Sequence, residues 1–199
     1  MMHIHAGILI GGRSQRMGRP KALIESDGAT LIERTISTVR PVVDSIALLG
    51  TEIDYALPDS CTTIPILPDA IANIGPLGGL LSLLERCEPD DAALLLACDM
   101  PFLSSELISR LRDCGRDQST HWDAIVPVTS DAANNDEPKS HPCCSLYRPS
   151  CIPAIKRAID AKKFGLMRVL QQLRVINLSL TPTEARWVTN WNSPADISE

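Results

Sequence analysis

Three arginines, a lysine and three glycines crowd the stretch GGRSQRMGRPK, Gly11 to Lys21, in a chain whose formal net charge is −5. Adjacent glycines let main-chain N–H groups approach an anion closely. Arginine forks match phosphate oxygens, and lysine adds a compact point charge. The chemistry that suits such a loop is the holding of a polyphosphate. Two common phosphate-loop templates do not fit it. The Walker pattern needs four residues between its first glycine and Gly-Lys-Ser/Thr. Here five residues separate Gly12 from Gly18, Lys21 follows Pro20, and Ala22 follows the lysine. The spacing G-x-G-x-x-G does not fit either. The plainer alternative is a solvated basic loop. Within the loop, Arg16 and Lys21 are the candidates for direct phosphate contact, and Arg13 and Arg19 for its rim.

A second candidate is Asp99, placed directly after the apolar run ALLLAC (93–98) and two residues before Pro101. A carboxylate at the carboxyl end of a buried strand faces the crevice where ligands of open α/β sheets bind. Magnesium takes one or two protein carboxylates and fills its shell with water and substrate phosphates, so a single aspartate suffices. The residues alone leave open whether Asp99 holds a metal or caps its own loop.

The elements that must position these residues alternate along the chain. Strands are expected at 4–10, 45–50, 63–67, 91–99, 123–128, 144–147 and 174–180. Between them lie helical patterns. Thr30 and Glu33 have the spacing of a capping box ahead of Leu31, Ile32, Thr35, Ile36 and Val39. Glycines open the helix of 75–87, and Ser104 caps that of 104–115. Two more helices carry Ile152, Ile155 and Ile159, and Leu166, Leu170 and Leu173. The polar stretch 129–141 reads as a loop. NWNSPADISE (190–199) opens like a very short helix, which leaves Asn192 as a cap candidate. Strand–helix alternation over 199 residues predicts one domain, 1–199. Its class is α/β: a doubly wound, mostly parallel sheet in three layers, α/β/α. The loops after residues 10, 50, 67 and 98 should then share one crevice.

Composition narrows the partners. A sequence pI near 5.4 argues against a broad nucleic-acid surface. No apolar run approaches the ~20 residues of a membrane span. The short apolar start lacks a basic flank and reads as a first strand, not a signal peptide. Seven cysteines, an odd number without a C-x-x-C spacing, suggest reduced thiols and a cytoplasmic setting. Cys143 and Cys144 should point to opposite faces of their strand.

LIGGRSQRMGRPKAL (9–23) resembles the signature loop L-[AS]-G-G-x-S-x-R-M-G-x-x-K-A-L of the molybdenum cofactor guanylyltransferases, MobA-like nucleotidyltransferases. GPLGGL (75–80) is similar to the family's G-P-L-x-G segment, and LACDMPFL (96–103) to its metal-binding strand end. HPCCSLYRPSCIPAI (141–155) resembles its [HQ]-P-x-x-x-L-Y segment, and NWNSPADI (190–197) its N-x-N-[ST]-P ending. The resemblance spans nearly the whole chain, in order.

It implies transfer of GMP from GTP to the terminal phosphate of molybdopterin, with pyrophosphate released. The nucleotide would contact Leu9, Ile10, Gly11, Gly12, Arg13, Ser14, Lys21, Asp69, Gly75, Pro76, Leu77, Gly78 and Asp99. Leu77 would pack on the base. Arg16, Lys21 and Asp99 would be catalytic, Asp99 carrying Mg2+, and Asn190 and Asn192 would face the acceptor. Transient contact with other cofactor-biosynthesis proteins is also implied. ALLGTE (47–52) departs from the family, whose members often place an asparagine there. A cytidylyl or sugar-1-phosphate nucleotidyltransferase, and a nucleotide-binding relative without turnover, are the alternatives.

Overall fold

The structure, a computed structural model, describes residues 2–11, 20–50, 55–117, 121–130 and 138–198. Gly12, Arg13, Ser14, Arg16 and Arg19 lie outside the described residues.

The centre of the sheet forms from apolar runs that bury both faces. β1 (Ile4–Leu9), β4 (Ser45–Leu49), β5 (Ile66–Leu67), β6 (Ala92–Ala97), β7 (Ala124–Thr129) and β10 (Val175–Leu180) all run the same way. β9 (Cys144–Tyr147) lies antiparallel between β6 and β7, and β8 (Lys139–Ser140) pairs with β7. The order is β10-β7-β9-β6-β1-β4-β5. A separate small hairpin joins β2 (Glu25–Ser26) to β3 (Ala29–Thr30).

Period-2 alternation divides the core between two faces. Ile4, Ala6, Ile8, Leu94 and Leu96 meet α1 (Leu31–Val39) and α3 (Ser105–Arg116). Ala93, Leu95 and Ala124 meet α2 (Pro76–Leu84), α4 (Ile152–Asp160) and α5 (Leu166–Leu170). The layers are therefore α/β/α, as the alternation predicts. Each fully buried Leu or Ile in them contributes roughly 1.5–3 kcal/mol of transfer free energy. Cys144 faces the first cluster and Cys143 the second, so the adjacent pair splits across the sheet. All seven cysteines are free.

The capping box of α1 is complete: Thr30 N–H donates to Glu33 Oε2 at 3.0 Å, and Glu33 N–H to Thr30 Oγ1 at 3.4 Å. Pro41 prevents the helix from running on. Two expectations are corrected. The strand expected over 63–67 shortens to Ile66–Leu67, because Cys61–Ile64 turns on itself through Ile64 N–H to Cys61 O and Pro65 has no N–H for the ladder. Part of the expected loop 129–141 pairs as β8, adding Lys139 and Ser140 to the sheet.

The chain order reverses at β1. β4 and β5 build outward on one side of it, and β6 returns to pair on the other. The switch point thus falls between β1 and β6, with Gly11 after β1 and Asp99 after β6 on its two sides.

Candidate active site

β6 ends at Ala97, and Asp99 follows it with 8 % of its surface exposed. Both carboxylate oxygens are engaged. Lys21 Nζ donates to Oδ2 at 2.7 Å, and Asn190 Nδ2 to Oδ1 at 3.0 Å. Lys21 also donates to Asn192 Oδ1, at 2.9 Å. Two residues from distant parts of the chain, Lys21 and Asn190, therefore close on one carboxylate at the switch point, and Asn192 joins them through Lys21. The pair is partly sheltered, with 21 % of the Lys21 side chain and 12 % of the Asp99 side chain exposed, so solvent screens it less than a surface pair.

Trp191 explains how the carboxyl-terminal segment comes to be there. Its main-chain N–H donates to Asp99 O at 2.8 Å. Its indole is buried with Ile24 and Leu31, and Phe102 meets it edge-on with ring centroids 6.3 Å apart. In extended chain successive side chains alternate. Anchoring Trp191 inward therefore turns Asn190 and Asn192 together toward the carboxylate. The cap role open to Asn192 falls elsewhere: the Asp196 carboxylate accepts the main-chain N–H groups of Asn192 and Ser193, at 2.6 and 2.8 Å, at the short turn Pro194–Ser198. Those amides hold Asp196 below the usual carboxylate range. The side chain of Asn192 instead accepts from Lys21 through Oδ1 and donates to Asn190 O at 3.4 Å through Nδ2.

The second group of candidates gathers one strand over. Ile10 N–H donates to Leu49 O at 3.1 Å, and a Cβ on Gly11 would lie 3.6 Å from Gly50 Cα. The loop that begins at Gly11 therefore leaves the sheet against the end of β4. Leu9 closes β1 and packs on the α2 face. Asp69 follows β5 and lies against the first turn of α2. A Cβ on Gly78 would sit 2.5 Å from Ile71 O and 3.0 Å from Asp69 Cβ, and one on Gly79 3.2 Å from Asp69 Oδ1. Only glycine fits this approach, which sets the carboxylate of Asp69 at a helix amino terminus, where negative charge is favoured. Gly75 takes φ +67°, a conformation that suits glycine, and Pro76 at the first helical position starts α2. Leu77 corrects an expectation. Its side chain is fully buried in the core beneath α2, so only its main chain can meet a ligand.

Two contacts escaped the sequence reading. Tyr55 Oη donates to Ile10 O at 2.8 Å and ties the segment after β4 to the start of the glycine loop. Arg34 on α1 donates to Ser26 O and Asp27 at 3.2 Å and to Pro101 O at 3.5 Å, joining the hairpin to the Asp99 loop. A lone tyrosine or arginine at these positions carries no spacing signal. Trp191 escaped the reading as well, although its place between Asn190 and Asn192 is a signal the sequence carries.

Cys98 precedes Asp99 but offers no nucleophile. Burial, with the neighbouring carboxylate, pushes its thiol up to about 12. His141 donates to or accepts from Thr129 Oγ1 at 3.0 Å, and burial, then Lys139, push it down to about 4. Among the described residues no cluster of three or more His, Cys, Asp or Glu converges on a metal position. A lone, sheltered carboxylate beside an anion loop fits a hard cation that arrives with its own phosphate and water ligands.

An open α/β sheet with Lys21, at the end of a basic glycine-rich stretch of sequence, paired to a carboxylate at its switch point is the architecture of a nucleotide-handling transferase. The chain belongs to the family of MobA-like NTP transferase domains, whose model matches residues 6–176. It is 30% identical, over 194 residues, to a probable molybdenum cofactor guanylyltransferase of Flavobacterium johnsoniae, covering 96% of this chain and 93% of that one. Its fold is similar to molybdopterin-guanine dinucleotide biosynthesis protein A of Archaeoglobus fulgidus, with TM-score 0.76 and 21% identity over 98% of this chain and 95% of the other. It is also similar to Rv0371C of Mycobacterium tuberculosis in complex with manganese, with TM-score 0.60 and 18% identity over 90% and 88% of the two chains. No described helix is long and apolar enough to cross a membrane.

Proposed function

We propose that the protein transfers the guanylyl group of GTP to the terminal phosphate of molybdopterin. An oxygen of the acceptor phosphate attacks the α-phosphorus. The bond from that phosphorus to the bridging α–β oxygen breaks, and pyrophosphate carries the electron pair away. The product is a dinucleotide with a new P–O–P link. The observation that carries this reading is the convergence of Lys21, Asn190 and Asn192 on Asp99 at the switch point. Lys21 takes one oxygen of that carboxylate and Asn190 the other, with Asn192 held on Lys21.

The chain's own groups account for most of the catalysis. Lys21, with Arg16 and the main-chain N–H groups of Gly11, Gly12, Arg13 and Ser14, holds the triphosphate and neutralises charge on the departing pyrophosphate. Asn190 and Asn192 offer amides that donate to phosphate and pterin edges. A phosphate acceptor is already anionic, so no base is needed, and His141 stays a neutral structural residue. In-line alignment of two bound phosphates supplies the entropic part of the rate. Asp99 is the residue that would hold Mg2+, which as a Lewis acid would withdraw charge from the α-phosphate. Gly75, Pro76, Leu77 and Gly78 would present main chain to the base, with Asp69 beside the nucleotide. The setting proposed is the cytoplasm, and transient docking with other enzymes of the same biosynthesis fits a product that must be handed on.

Thermal-shift titration with GTP, ATP and CTP in the presence of magnesium tests the donor. GTP should raise Tm most. Gly50, where an asparagine is common in the family, makes CTP the competitor to watch, and a preference for CTP would replace this reading with a cytidylyl transfer.

A further inference from the structure

Two of the polar partners of Lys21 belong to different halves of the proposed reaction. Its Nζ donates to Asp99 Oδ2 at 2.7 Å and to Asn192 Oδ1 at 2.9 Å. Asp99 is the carboxylate assigned to the metal, Asn192 stands on the acceptor side, and Lys21 itself serves the donor triphosphate. Its ammonium carries three N–H groups, and these two contacts employ two of them on groups the reaction needs elsewhere.

We infer that Lys21 is a counter-ion lock, which neutralises Asp99 and holds the Asn192 amide until the triphosphate of the donor draws the ammonium away and releases both. The lock rests on the metal role of Asp99 proposed above. A dication nearing Asp99 meets an ammonium already seated on one oxygen and the Asn190 amide on the other. Both charged side chains are sheltered, so the like-charge repulsion is weakly screened. Phosphate oxygens reverse the balance, because they give Lys21 an anionic partner of higher charge than Asp99. Two consequences follow from the same contact. Metal alone binds poorly and binds well with the donor. The Asn192 Oδ1 is freed on the acceptor side only after the donor arrives, because it accepts from Lys21 until then. Trp191, fixed to Asp99 O, keeps Asn192 within reach throughout.

The test is a Mn2+ titration of the full chain without nucleotide, following the electron paramagnetic resonance signal of free Mn2+. Lys21→Met, which keeps the stem and removes the charge, should bind Mn2+ about 10-fold more tightly than the natural protein, within the usual range of coupling between sites. Lys21→Arg keeps the cation and should bind it as weakly as the natural protein. Asn192→Ala removes one of the two holds on Lys21 and should give a smaller gain. Adding Asp99→Asn to Lys21→Met should abolish the gain. Lys21→Met affinity within about twofold of the natural protein overturns the lock. The two ideas separate cleanly. If Asp99→Asn turns over normally, the metal role falls and the lock with it. If Asp99→Asn is inactive and Lys21→Met shows no gain, the lock alone falls.

Discussion

Lys21 and Asp99, separated by 78 positions in sequence, meet at 2.7 Å across the switch point of the sheet. β1 and β6 are parallel neighbours, so the residues that follow them leave the sheet at the same edge. The pairing of Leu9 with Ala97 sets the register, and the loops after those residues need only span a short gap.

Asp99→Asn should leave the fold intact and remove turnover. Asparagine keeps the shape, its Oδ1 can still accept from Lys21, and its Nδ2 can donate to Asn190 once that amide turns over to present Oδ1, so the loss of stability should stay below about 2 kcal/mol. Turnover should fall by ~100-fold or more, in line with the several kcal/mol that metal-assisted charge stabilisation supplies. Chemical denaturation and a pyrophosphate-release assay on the same preparation check both halves.

Trp191→Ala should cost about 3–5 kcal/mol, the range for large aromatic truncations in a packed site. It should also lower kcat more than it raises KM for GTP, because the asparagines it orients stand on the acceptor side. Trp191→Phe keeps the main-chain bond to Asp99 O and most of the packing on Ile24 and Leu31, and should recover most activity.

Gly78→Ala puts a methyl 2.5 Å from Ile71 O and forces α2 away from Asp69. A cost of about 1–3 kcal/mol is expected from overpacking against main chain. Nucleotide affinity should weaken along with stability, because the same shift moves Gly75, Pro76 and Asp69. Isothermal titration with GTP, set beside a urea melt, reads both.

His141 is held neutral by burial and by Lys139, with its pKa pushed down to about 4 from 6.5. Between those values the unfolded chain binds a proton that the folded protein does not. The contribution of His141 is therefore fully present above about pH 6.5 and is lost as the pH falls toward about 4. Urea melts across that window should show a fall in stability that is shallower in His141→Gln. A curve of unchanged slope would remove His141 from the acid response.

The sequence reading reached the architecture because its signals were physical. The runs IHAGIL and AALLLA bury both faces and could only be central strands. The Thr30–Glu33 box marks the start of α1 from three residues' spacing. Lys21, Asp99, Asn190 and Asn192 are each singled out, and the loops after residues 10 and 98 are expected in one crevice, but the direct bonds among the four are not readable from spacing. Two other features stayed hidden for different reasons. Leu77 is set on the base by the resemblance, yet it lies inside the helix expected over 75–87, and the core beneath α2 buries it. Tyr55 acts through one hydroxyl on the Ile10 carbonyl, a contact with no periodicity to announce it.

The most direct measurement of the central claim is turnover with a defined acceptor. The full chain is mixed with GTP, magnesium and molybdopterin, and both pyrophosphate and the guanine dinucleotide are quantified. Equal amounts of the two, formed with GTP in preference to CTP and abolished by Asp99→Asn, are the predicted result. Tight GTP binding with no pyrophosphate, or faster pyrophosphate release from CTP, would contradict it.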